Sequence, residues 1–167
     1  NFYAVTDSRN VCPEGWKVPT ISDWHRLVKF LDPFSDTTVT AGYQSLNAGG
    51  ILKSTGISNN QNGLWNSPNT LASDSIGFAA HPGGWRRDTY SYSILGDHSY
   101  NYSGLGDYGI WWSSTQGGMG GQYSAFEIRL YYDRGMLQKA DGHVMSGKSV
   151  RCMRTLNSIQ NNKTFNW

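Results

Sequence analysis

Few residues of this 167-residue chain are suited to making or breaking bonds. Its histidines, His25, His81, His98 and His143, are scattered, with no i, i+4 pair and no adjacent cysteine, so they spell no zinc site. Glu14 and Glu127 are the only glutamates, and a glycosidase pair would need aspartates that nothing sets apart. Two cysteines, Cys12 and Cys152, bracket most of the chain. They read equally as two separate buried thiols or as one disulfide tying the first element to the last strand. The bonded form would imply an oxidising, extracytoplasmic location. The sequence is richer in material for binding. Between Arg86 and Asp107, Tyr90, Tyr92, Tyr100 and Tyr102 alternate with Ser, Gly and Asp, the composition of antibody binding loops. The same rings could equally lie flat as cover on the domain. Tyr131-Tyr132-Asp133-Arg134-Gly135 reads as a compact hairpin turn, and Thr115 to Tyr123 as a glycine-rich loop.

The elements that must hold these loops are organised around Tyr108-Gly-Ile-Trp-Trp-Ser-Ser-Thr115, which reads as a strand. Alternation sends Trp111 and Trp112 to opposite faces, and a strand with a large ring on each face needs cover on both sides. It belongs at the centre, with Ser124–Leu130 and Ser149–Met153 as expected neighbours. The first helix starts at Thr20, with Asp23 completing a capping box. Trp24, Leu27, Val28 and Leu31 then form one apolar stripe, and Pro33 ends it. Asn1–Val5 reads as an edge strand, Asp36–Asn47 as a second helix, and Ile51-Leu52 as the start of a strand. Trp65 anchors an irregular stretch from Thr55 to Thr70, and Phe78-Ala79-Ala80 is strand-like.

Composition narrows the class. The 23 aromatics stand beside only 26 Ile, Leu and Val, while Gly, Ser and Asn make up 52 residues. That suits a loop-rich single domain with a core of large rings, not a helical bundle. The net charge of +2 with no Lys/Arg block leaves nucleic acid without an electrostatic footprint. No apolar run reaches the roughly 18 to 20 residues of a membrane span. With neither a signal peptide nor an initiator Met, the sequence reads as a trimmed mature chain or an excised domain.

Several motifs in sequence order now carry a resemblance: Cys12-Pro-Glu-Gly-Trp-Lys-Val-Pro-Thr20, Ala48-Gly-Gly-Ile-Leu-Lys53 and Trp65-Asn-Ser-Pro-Asn-Thr70. Pro82-Gly-Gly-Trp-Arg86, Gly109-Ile-Trp-Trp-Ser-Ser-Thr115 and Ser149-Val-Arg-Cys152 continue it. Together they resemble the Fibrobacter succinogenes major paralogous domain, a family of bacterial surface modules. The resemblance covers residues 1–154 and leaves 155–167 as an Asn-rich tail or linker. It implies an α+β, C-type lectin-like fold of small antiparallel sheets with one or two helices, long ordered loops and adjacent terminal strands. It also implies one disulfide, Cys12 with Cys152.

Within that fold type a calcium-dependent sugar site would need Glu-Pro-Asn and Trp-Asn-Asp. This sequence has Ser67-Pro68-Asn69, and Trp65-Asn66 is followed by Ser67. No cofactor is expected. Asn69 and Asp74 are read as loop caps, with a structural calcium as the other reading. A formylglycine-generating-type enzyme would need a reactive thiol, and the family's structural pair uses both cysteines. No catalytic residue is assigned. The expectation is a non-catalytic, adhesin-like extracellular or cell-surface module, part of a larger surface protein or assembly, lipoprotein- or pilus-associated, that binds a protein or glycan. The ligand-binding residues expected on one loop face are Trp85, Arg86, Tyr90, Tyr92, His98, Tyr100, Tyr102, Tyr131, Tyr132 and Arg134. The alternatives are a spacer or fimbrial-tip module without its own ligand, or a degenerate formylglycine-generating-type enzyme.

Overall fold

Thr20 opens the longest helix among the described residues, as its sequence requires. In the computed structural model, which describes residues 1–87 and 102–155, α2 spans Ile21–Leu31. The Thr20 hydroxyl accepts the Asp23 N–H at 3.1 Å, and the Thr20 N–H donates to the Asp23 carboxylate at 2.9 Å. Burial opposes the charge on Asp23, but the Lys17 ammonium at 2.9 Å, the Thr20 donors and Arg26 outweigh it and lower the carboxyl to about 2. A carboxyl held below its unfolded value stabilises the fold above that value, and the benefit is lost as pH falls through the folded one. The wild type should therefore lose about 2 kcal/mol between pH 4 and pH 2 from this group. Asp23→Asn, followed by denaturant unfolding across that range, should lack that part of the slope. An unchanged slope would place the acid sensitivity elsewhere.

A six-stranded sheet lies under α2. Its strands are β2 (Gly42–Ser45), β3 (Gly83–Arg86), β4 (Tyr102–Leu105), β5 (Tyr108–Gln116), β6 (Ser124–Tyr131) and β7 (Leu137–His143). Their order across the sheet is β2-β7-β6-β5-β3-β4. All neighbours are antiparallel except β3 and β5, which pair in parallel at Gly84 and Gly109. A second, two-stranded sheet pairs β1 (Trp16–Lys17) with β8 (Met153–Arg154). Cys12 and Cys152 are bonded beside it, with Cα atoms 5.8 Å apart. The architecture is thus α+β with mixed sheets and one disulfide.

Trp111 and Trp112 are 5% and 0% exposed and face opposite ways, each into its own core. Trp111 joins the α2 stripe of Trp24, Leu27 and Val28, with Ile128 and Leu130 from β6. On the other face Trp112 packs with Val144 and with Phe2 and Val5 of α1 (Phe2–Val5). In the short helix α3 (Ala48–Leu52), Gly49 sits against the β6–β7 turn and Gly50 against the loop at Leu71. A Cβ at either glycine would strike backbone, of Met136 in one case and Leu71 in the other. Behind that contact lies Lys53, which is fully buried. Its ammonium donates to the carbonyls of Thr70 and Tyr131 at 2.9 Å and of Arg134 at 3.1 Å. Burial lowers it to about 8 while Asp133 pulls the other way.

Several local readings are corrected. Asn1–Val5 contains helix α1, capped by Asn1, where an edge strand was expected. The Thr-rich residues after Asp36 form turns, and the stretch yields strand β2 only at Gly42–Ser45, where a second helix was expected. Ile51 and Leu52 end helix α3, and the extended step falls one residue later, where Lys53 bridges Ala80. Ser149 does bridge Trp111 beside the central strand, but the chain then leaves to pair Met153 with Lys17.

A candidate binding groove on the Trp112 face of the sheet

Alternation along β6 sends Ile128 and Leu130 into the α2 core and Glu127, Arg129 and Tyr131 to the opposite face. There they stand against Trp112, Ile110 and Tyr108 of β5, by the register Trp112–Glu127, Ile110–Arg129 and Tyr108–Tyr131. Covering segments close the Trp112 end of this face and leave an open groove of about 700 Å³ at the other. Trp85 and Ser103 line the side toward β3 and β4. Tyr108, Ile110, Arg129 and Tyr131 form the middle, and His143, Ser146 and Lys148 line the far end.

The floor is ionic. Glu127 is 0% exposed and Lys148 3%, and the Lys148 ammonium pairs with Glu127 Oε2 while lying 3.8 Å above the Trp112 ring. Arg129 Nε donates to the other oxygen, Oε1, at 2.5 Å. One carboxylate is therefore shared by two cations. Burial lowers the Lys148 ammonium, with Glu127 opposing that shift. Gly142 is placed by the same pair, because a Cβ there would collide with both Lys148 Nζ and Glu127 Oε2.

Rings and guanidinium groups make the wall. Tyr131 meets Tyr108 edge to face, with centroids 5.5 Å apart and planes at 89°. The Arg134 guanidinium lies 4.9 Å over the Tyr131 ring, donates to Tyr43 Oη at 2.5 Å, and chelates Asp133 at 2.7 and 2.8 Å. The Tyr131 hydroxyl donates to Gln138 Oε1. The Arg87 guanidinium lies 5.5 Å over Trp85.

Trp85 and Tyr131 therefore border the same groove. Arg86 and Tyr102 border a shallower depression next to it, and Tyr102 is 80% exposed. Arg86 is also a brace, exchanging backbone hydrogen bonds with Gly147 and donating from Nη2 to the Met145 carbonyl at 3.1 Å. Tyr132 packs partly buried on the α2 core, and Arg134 stacks on the hairpin. Tyr90, Tyr92, His98 and Tyr100 lie outside the described residues. Tyr108, Glu127, Arg129 and Lys148 were not foreseen from sequence. The signal for Glu127 and Arg129 was the period-2 alternation of Ala125-Phe-Glu-Ile-Arg-Leu-Tyr131, which puts a charge pair on one face of a central strand.

Among the described residues no three His, Cys, Asp or Glu side chains converge as metal ligands. Asn69 donates to the Ser54 and Gly56 carbonyls, and Asp74 accepts from the Ala79 N–H, so both brace loops. Both cysteines are in the disulfide, leaving no free thiol. No helix among the described residues is long and apolar enough to cross a membrane.

Compared with known families, residues 1–154 match the Fibrobacter succinogenes major domain. The chain belongs to that family. No curated protein and no solved structure matches it. In this Fibrobacter succinogenes major domain the resembling motifs coincide mainly with bracing positions. Trp65 is buried and donates from Nε1 to the Ala80 carbonyl at 2.9 Å, and Arg151 donates to the Phe78 carbonyl at 2.6 Å. Gly49, Gly50 and Lys53 support the β6–β7 hairpin. Of the groove walls only Trp85 and Ile110 fall in those motifs, whereas Tyr108, Arg129 and Tyr131 fall outside them.

Proposed function

We propose that this domain is a non-catalytic binding module of an extracellular or cell-surface protein, recognising a protein or glycan through the groove on the Trp112 face. The observation that carries this reading is the groove itself. It is about 700 Å³, within the range of roughly 300–1,000 Å³ usual for ligand sites, and has half-buried rings above a charged floor. Rings with polar edges gain from burial on contact yet are tolerated in water. The disulfide fits an oxidising location, and the paired terminal strands fit a C-type lectin-like module set within a longer surface protein. The binding role needs no metal, cofactor or reactive thiol.

A spacer without its own ligand is the second reading, and one observation favours it. Tyr132 packs on the α2 core, and Tyr131 is clasped by Tyr108 and Arg134, so part of the aromatic face acts as cover. A glycan and surface-protein array probed with the wild type, Trp85→Ala and the control Phe34→Ser separates the two. Phe34 is almost fully exposed and is not among the residues lining the groove. Trp85→Ala should weaken the strongest array signal by about 2 kcal/mol with near-parental melting, as expected of an interface anchor. A lower melting temperature with unchanged binding would favour the spacer.

A further inference from the structure

We propose that the groove takes a sugar bearing a carboxylate, with that carboxylate seated on Arg129. This rests on the reading of the groove as a binding site. The first support is charge. Glu127 is shared by Lys148 and Arg129, so the buried triad has one more cation than anion. All three line the groove, and Arg129 is the member most open to it, with 33% of its side chain exposed against 0% and 3% for the other two. A surplus charge beside low-dielectric walls focuses its field on the opening, where it attracts an anion. Among the described residues the groove lining carries three cations, Arg87, Arg129 and Lys148, against two carboxylates, Glu127 and Asp141. Asp141 lies near enough to attract Lys148, while Arg87 adds a cation on the β3 side and His143 stands on the β7 side.

Geometry gives the second support. Arg129 is held through Nε by Glu127 and also contacts the Tyr131 hydroxyl, so its planar fork is set before any ligand arrives. A preorganised guanidinium suits a carboxylate, which it can bind through two donors at once.

The third support separates a sugar from a peptide. Strands β5, β6 and β7 each have a paired neighbour on both sides, so among the described residues the floor offers no open strand edge for a peptide to extend, and of the strands lining the groove only the rim strand β4 has one. Recognition there falls to side chains. Trp85 and Tyr108 offer ring surface for the C–H face of a pyranose, and Ser103 and Ser146 offer hydroxyls for its polar edge.

The test is calorimetric titration of the whole chain with 3′-sialyllactose and a glucuronate-terminated disaccharide. Each is compared with its carboxyl-reduced counterpart, and hexaglutamate serves as a peptide of higher charge. At least one acidic sugar should bind tenfold or more tightly than its reduced form. Arg129→Gln should abolish that preference, Arg129→Lys should restore part of it, and Trp85→Ala should weaken both forms alike. Melting curves of the Arg129 variants check that the fold survives, and Arg129→Lys keeps the charge if the glutamine variant does not fold. Equal binding of acid and reduced sugars, or a preference that survives Arg129→Gln, would overturn the carboxylate assignment while leaving the groove as a site. Tighter binding of hexaglutamate than of either sugar would overturn the sugar class. Failure of every sugar also overturns this proposal, and the separate Trp85→Ala array result then decides whether the groove binds anything.

Discussion

Truncating Trp112 to alanine should cost about 3–5 kcal/mol, because a large ring removed from a closed core leaves a cavity its neighbours fill only in part. Trp112 is fully buried on the central strand and meets Phe2 edge to face at 5.6 Å. It also lies under the Lys148 ammonium, so its loss strips apolar cover from the ion pair with Glu127. For a domain of this size the thermal midpoint should fall by about 6–20 °C. Trp111→Ala should cost a comparable amount through the other core, where Trp111 meets Phe78 at 6.3 Å. The two variants should differ in the groove. Only loss of Trp112 disturbs Lys148 and Glu127, so only that variant should alter the acid-sugar preference. Parental melting of either would mean that its ring is not where the sheet closes.

Reducing the Cys12–Cys152 bond should have the other large effect. The bond closes a loop of 140 residues, and the chain-entropy account assigns about 5 kcal/mol to such a loop as an upper figure. The denatured, unreduced protein should show no titratable thiol, and adding reductant should lower the urea midpoint sharply. Cys12 belongs to the same core as Trp112, so reduction and Trp112→Ala should not add. Their combined cost should fall short of the sum, and strict additivity would mean that the two sites are energetically separate. Two free thiols in the unreduced protein would remove both the topological and the compartment arguments.

What was legible in the sequence was what local rules decide. The Thr20–Asp23 box and the Trp24–Leu27–Val28 stripe repeat at helical spacing over eleven residues, and that helix is present. The Trp111-Trp112 pair requires two covered faces, and both are covered. The elements misread were four or five residues long, α1, β2 and α3, where intrinsic preference is too weak to decide. Gly49-Gly50 discourages a helix locally, yet helix α3 forms there, where only glycines admit the Gly135–Met136 turn on one side and Leu71 on the other. Trp85 and Tyr131 were singled out as surface rings. The groove they share, however, depends on the β5–β6 register and on Lys148 returning from beyond β7. Those are long-range pairings that composition does not encode. Glu127 shows the same limit, since a lone buried glutamate is intelligible only once its two cations are placed beside it.

The terminal pairing also has a mechanical meaning. Cys12 and Cys152 lie beside the paired strands β1 and β8, just inside α1 at one end of the fold and just before β8 at the other. Tension applied across the two ends passes through the sulfur bridge, and the intervening 140-residue span, with the α2 core and the strands of the groove, is left off the load path. Pulling can strip α1 from its seat and peel β8 from β1, but it cannot extend the sheet while the bridge holds. The domain behaves under load as a short inextensible link with a side-mounted body. A ligand held in the groove would then rest on strands that the pull cannot extend, though loss of α1 would uncover Trp112 beneath Lys148.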